Sequence, residues 1–171
     1  PSVPVAGVLD EGTDLFGEAL ARDPSGVLAL FGTRTTIGSG EHARRLARRG
    51  VDPGRVFAEP CHGLAAAVDK DPGSAAVPGL VDECVLRVVP RLPAGAPVYA
   101  GLACTHYAYI ADAFRDSLAR HTGAKIEILA PGRRFIDGLT SGLAARGPGA
   151  AERDISVEIV SKIGLGEAQR R

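Results

Sequence analysis

Short apolar runs recurring between helix-patterned segments limit what this chain can fold into more than any other feature. Val27–Phe31, "VLALF", is continuous rather than alternating, the pattern of a strand buried on both faces of a parallel sheet. "RVFAEP", "APVYAGLA" and "KIEILAP" repeat the type, and Val3–Leu9, "VPVAGVL", reads as a further strand at the front. Helical spacing fills the intervals. Asp14–Arg22 is one such stretch, broken by "RDPSG". "EHARRLARRG" closes on Gly50 with Pro53 just beyond, a common helix ending. "GLAAAVDK" predicts a short helix and "DPGSAAVPG" a loop. Val81, Cys84, Val85 and Val88 mark one helical face, stopped by Pro90 and Pro93. "YIADAFRDSLARH" is amphipathic and closed by Gly123, "GRRFIDGLTSGLAARG" predicts another helix, and "ISVEIV" a last short strand after the linker-like "RGPGAAERD".

Strands alternating with helices predict an α/β fold with a mostly parallel sheet flanked by helices. Right-handed crossovers bring the strand C-termini to one edge, where such sheets bind ligands. Two loops leaving strand ends there carry chemistry: Gly32–Gly40 and Cys104–Tyr107. Lys and Arg total 20, as do Asp and Glu, so the formal net charge is zero. That balance speaks against nucleic-acid or anionic-membrane partners. No apolar run reaches the roughly 18 residues of a membrane span, and the expected location is cytoplasmic. The chain starts at Pro1 and contains no Met, which reads as part of a longer translation product. Its three cysteines, Cys61, Cys84 and Cys104, have no framework spacing and suit free thiols.

The stretch "GTRTTIGSG" is a glycine-rich turn opening a helix. Free backbone N–H groups and hydroxyls from Thr33, Thr35, Thr36 and Ser39 suit a carboxylate or phosphate there; an ordinary N-cap is the plainer reading. It lacks the lysine of a P-loop and the spacing of a dinucleotide fingerprint. Cys104 has four open roles. A metal site would need Cys61 and His62 beside Cys104 and His106. A nucleophile would need His106 as base and an oxyanion hole. A proton carrier needs a thiol of lowered pKa in a polar, partly exposed pocket. A buried inert cysteine is the commonest alternative. The Arg44, Arg45, Arg48 and Arg49 cluster reads as a solvated helix face.

"GLACTHYAYI" resembles the second cysteine motif of the glutamate racemases, within the wider aspartate/glutamate racemase group. Other segments match in order. "PVAGVLDEG" resembles the opening strand of that family's second lobe. "LALFGTRTTIGSGEHARRL" resembles its Gly-Thr stretch, with His42 where a tyrosine is usual. "EPCHGLAAAVDKD" resembles the segment ending in a carboxylate, with Asp69 for the usual Glu, and "FIDGL" resembles the return to the first lobe. The likeness spans roughly residues 3 to 140.

The resemblance implies one lobe, plus part of the other, of a two-lobed fold: a racemase-like lobe over 3–130, then a return segment and tail over 131–171. It implies a cofactor-independent racemase, with no metal, acting on glutamate or aspartate. Cys104 would be one of two acid/base thiols, with His106 and Asp69 assisting catalysis. Thr105, His106, Thr33 and Thr36 would bind substrate. D-glutamate for peptidoglycan would be the product, and a homodimer is left open. The family's first-lobe Asp-Ser-Gly and Cys-Asn-Thr motifs do not occur here, so the chain by itself is expected to be inactive. Two alternatives stand: another group member, such as an aspartate or hydantoin racemase, or a non-enzymatic relative that binds a ligand in the same cleft.

Overall fold

In the computed structural model, residues 7–144 are described, with side chains over 7–138. One compact unit runs through Ile136, and a second begins at Asp137. The first unit is built on a parallel four-stranded sheet: β1 (Val27–Gly32), β2 (Val56–Pro60), β3 (Val98–Leu102) and β4 (Ile126–Leu129), in the order β2-β1-β3-β4. The central strands β1 and β3 are buried at every position. This follows from their unbroken apolar sequences, which cover both sheet faces.

Residue alternation along β1 divides the core. Val27, Ala29 and Phe31 pack with β3 residues Val98, Ala100 and Leu102 under α4 (Leu64–Lys70), α5 (Ala76–Val88) and α6 (Ala111–Thr122). Leu28 and Leu30 face the other way, against Phe16, Leu20 and Leu46 of α1 (Val8–Arg22) and α3 (Glu41–Arg48). Phe31, Tyr107 and Phe114 meet at tilted ring contacts of 4.8 and 5.7 Å. Burying such side chains contributes roughly 1.5–3 kcal/mol each. Gly101 lets α1 approach the sheet closely: a Cβ there would lie 3.0 Å from Leu28 and 3.1 Å from Phe16.

Three expectations change. Val8 and Leu9 belong to α1, not to a strand over 3–9; residues 3–6 lie outside the described residues. The reason is visible in the burial stripe Gly12, Thr13, Phe16, Ala19 and Leu20, and in Asp10 and Glu11, acidic residues favoured in a first helical turn. The predicted loop "DPGSAAVPG" is shorter, because α5 starts at Ala76 and its buried stripe starts at Val77. Pro78 fits there since a first-turn N–H has no helical acceptor anyway. Within the glycine-rich turn, Arg34–Gly38 forms a short helix, α2. The expected strand "ISVEIV" lies outside the described residues.

The arginines of α3 are also more than a solvated face. Arg45 pairs with Asp10 of α1 and, at 2.8 Å, with Glu41; Arg49 pairs with Asp14. They tie α3 to α1.

Candidate active site

The chain leaves β1 toward β2 on one side and later places β3 on the other side of β1. The C-terminal ends of β1 and β3 therefore flank the point where the winding direction changes, the usual ligand position in such sheets. Backbone hydrogen bonds hold this rim together. Cys61 N donates to Gly32 O and Ala103 N to Phe31 O, both at 2.8 Å. Thr33, His62 and Cys104 consequently emerge along one edge.

Thr33 caps α2. Its Oγ1 accepts from Thr36 N at 3.1 Å and lies 2.9 Å from the Thr36 hydroxyl. The threonines expected to shape a carboxylate pocket thus already bind each other. Gly40, at φ 63°, then turns the chain into α3, a conformation glycine adopts without strain.

Cys104 begins the loop after β3 and is half-buried. A 3₁₀ turn over Thr105–Ile110 follows. The turn is anchored by Tyr107, whose ring is wholly buried and whose hydroxyl donates to Cys61 O at 3.4 Å. Tyr107 N donates to Cys104 O at 3.0 Å. The Cys104 sulfur lies 3.7 Å from His106 Nδ1, and His106 Nε2 lies 3.5 Å from Asp69 Oδ1 at the end of α4. Three of the residues singled out in the sequence, Cys104, His106 and Asp69, thus form a sulfur–imidazole–carboxylate line. Asp69 and His106 keep 61% and 41% of their side-chain surface exposed, so their mutual attraction is screened.

One expectation for this sulfur reverses. Burial pushes the Cys104 thiol above its ordinary pKa, opposed by the backbone N–H groups of His106 and Tyr107. In this chain the proton stays on Cys104 at neutral pH. The other thiols sit in the core. Cys61 and Cys84 are 2% and 1% exposed, and Arg87 Nη2 reaches Cys84 at 3.6 Å. His62 pairs with Arg34 at 3.2 Å.

Beside Cys104, a cavity of about 320 Å³ opens at the rim. Ala103 and Thr105, the two neighbours of Cys104, line it, as do Thr35, Thr36 and Ser39. His42, only 7% exposed and tilted against Phe16, lines it too. The sequence marked His42 only as a departure from the family pattern. The available signal was its spacing of four from Leu46, which puts both on the buried face of α3. Among the described residues, no group of three or more His, Cys, Asp and Glu side chains is placed to hold a metal ion. No described helix is long and apolar enough to cross a membrane.

The fold and rim together define a parallel α/β lobe that presents a half-buried cysteine beside a hydroxyl-rimmed cavity. Proteins of known function narrow the class. The chain is 34% identical over 114 residues to the glutamate racemase of Dinoroseobacter shibae, covering 66% of this chain and 38% of that protein. It is 40% identical over 93 residues to the glutamate racemase of Jannaschia sp., covering 53% and 32%. The Ralstonia nicotianae enzyme gives 32% over 115 residues, covering 67% and 39%. The chain thus spans between 32% and 39% of the length of these curated relatives.

Two solved structures share the fold. The Bacillus anthracis glutamate racemase superposes with a TM-score of 0.61 at 22% identity, covering 86% of this chain and 51% of that one. The Francisella tularensis glutamate racemase, solved with D-glutamate, gives 0.59 at 20% identity, covering 85% and 49%. No family model matches the chain. The resemblance to glutamate racemases read from the Cys-Thr-His-Tyr and Gly-Thr stretches is borne out by these relatives.

Proposed function

We propose that this chain supplies one catalytic lobe of a cofactor-independent amino-acid racemase, with glutamate as substrate and Cys104 as one of its two proton carriers. The observation that carries the reading is the Cys104–His106–Asp69 line at the sheet rim, beside a cavity lined by Thr36 and Thr105. Removing a proton next to a carboxylate builds negative charge, which preorganised donors must meet. A thiol of raised pKa is the protonated partner of such a pair, the one that delivers. His106 positions the sulfur and passes the proton, and Asp69 orients His106. Thr33, Thr36 and Thr105 receive the substrate carboxylate.

A proton taken from one face and returned to the other needs a second thiol across the substrate. Cys61 and Cys84 are buried in the lobe's own core and do not serve. The chain by itself is therefore inactive, and a first lobe bearing the partner cysteine completes the site. In the racemase so assembled, D-glutamate would feed peptidoglycan synthesis.

The test is exchange of the glutamate Cα hydrogen in deuterated water, with this lobe joined to a first lobe carrying the partner cysteine. Cys104→Ser should abolish exchange from at least one enantiomer. Equal exchange by wild type and Cys104→Ser sinks the reading. Running aspartate beside glutamate decides the substrate, and aspartate exchanging faster would replace glutamate in the proposal.

A further inference from the structure

We infer that Cys61 and Cys84 form a peroxide-sensitive dithiol, whose closure to a disulfide loosens the turn that follows Cys104. The inference does not depend on the racemase reading, which uses neither thiol. Four observations carry it. Cys61, just past β2, and Cys84, on the inner face of α5, lie in one buried cluster. Both touch the same ion pair. The Cys61 thiol donates to Glu59 O at 3.9 Å, Arg87 Nε donates to Glu59 Oε1 at 2.6 Å, and Arg87 Nη2 donates to the Cys84 sulfur at 3.6 Å. A guanidinium N–H aimed at sulfur favours the thiolate over the thiol. Arg87 keeps 47% of its side-chain surface exposed, so this contact runs from the core toward water. Lastly, the Cys61 carbonyl accepts the Tyr107 hydroxyl at 3.4 Å, and Tyr107 N donates to Cys104 O at 3.0 Å. The backbone of one core thiol thus anchors the turn beside the exposed one.

The two sulfurs divide the work. The Cys61 thiol, and Arg87 behind it, hold Cys84 below its ordinary pKa against burial, while Cys84 and burial push Cys61 far up. Cys84 is therefore the sulfur that attacks and Cys61 the one that resolves. The oxidant is hydrogen peroxide, little larger than water, which needs less opening beneath α5 than a bulkier reagent. The Cys84 thiolate attacks one peroxide oxygen. An S–O bond forms, the O–O bond breaks, and the leaving hydroxide takes up the proton Cys84 released, giving water and a sulfenic acid. The Cys61 sulfur then attacks the Cys84 sulfur. The S–S bond forms, the S–O bond breaks, and hydroxide leaves with the Cys61 proton as a second water. Closure brings the sulfurs to about 2.0 Å, shorter than any non-bonded contact, and draws Cys61 toward α5. Its carbonyl leaves Tyr107, a hydrogen bond already long. The turn after Cys104 then loses its tie to the core.

The experiment adds hydrogen peroxide to the full, reduced chain in native buffer and reads disulfides in digests by mass spectrometry. The Cys61–Cys84 pair should exceed every other pairing within the chain by at least about tenfold, because only that pair meets the bond's geometry. In urea, Cys84–Cys104, slightly closer along the sequence, should form as readily. After the peroxide is removed, iodoacetamide should label the remaining Cys104 thiol of the disulfide form at least about threefold faster than in the reduced chain. Dithiothreitol should restore the slower rate. Tyr107→Phe, which lacks the contact to Cys61 O from the start, should show the faster rate in both states. Two results overturn the inference: no excess of Cys61–Cys84 in native buffer, or a disulfide that leaves the Cys104 rate unchanged. Either one leaves the racemase reading standing, since glutamate exchange is a separate measurement.

Discussion

Cys61 and Cys84 share a side chain with Cys104 but not a chemistry. The first pair sits under α4 and α5, 2% and 1% exposed, among Val81, Val85 and Leu64. The neighbouring Cys84 thiol and burial both push Cys61 far up, away from ionisation. Cys104 stands a few residues past a strand end, half-buried, with an imidazole at 3.7 Å and a cavity beside it. The difference teaches that in this lobe a thiol becomes usable by leaving the sheet, not by any gain in acidity. Burial raises Cys104 too. What separates it from the core pair is access and a polar neighbour able to trade a proton.

The largest expected effect is in alkylation. Iodoacetamide should modify native Cys104 at least about a hundredfold faster than Cys61 or Cys84, whose reaction waits for opening of the core. Mass spectrometry of timed digests reads this directly. The Cys104 rate should keep rising past the ordinary thiol pKa of about 8.5, because burial holds its proton. Equal rates at all three sites would erase the distinction drawn here.

Stability should separate the same residues next. Cys84→Ala opens a gap beneath α5 and should cost about 2 kcal/mol in urea unfolding. Cys104 is only half-buried at the edge of the same core, so Cys104→Ala should cost less, under about 1 kcal/mol. Tyr107→Phe lies between the two regions. It deletes the hydrogen bond to Cys61 O that pins the Cys104 loop to the core, and should cost about 1 kcal/mol. It should also speed alkylation of Cys104, whereas a purely local loss would leave that rate alone.

The sequence displays this contrast unevenly, for physical reasons. Cys84 is legible as core because Val81, Val85 and Val88 share its helical face. Cys104 is legible as a rim residue because an unbroken apolar strand must end before it. The sheet's parallel order follows from the same runs. Three features were out of reach. The Cys104–His106–Asp69 line depends on α4 ending near the 3₁₀ turn, a meeting that spacing along the chain does not encode. The sign of the Cys104 shift depends on how much water the loop excludes. The start of α1 was masked by "VPVAGVL", whose apolar residues suit strand and helix equally; Phe16 and Leu20, facing β1, decide it.

The smallest expected effect extends the comparison to His42, a titrating group buried on the opposite face of the sheet from Cys61 and Cys84. Its pKa is lowered mainly by burial, with Arg45 reinforcing and Glu41 opposing. A base with a depressed native pKa takes up its proton more readily in the unfolded chain. Its contribution to stability is therefore present above the unfolded pKa, about 6.5, and is lost as pH falls below it. His42→Phe removes that liability. Relative to its own stability at pH 8, the variant should lose less than wild type on going to pH 6, by at most about 0.8 kcal/mol for a single proton. Urea titrations at the two pH values measure the difference. Parallel pH profiles would mean that the His42 ring is hydrated in the folded chain despite its burial.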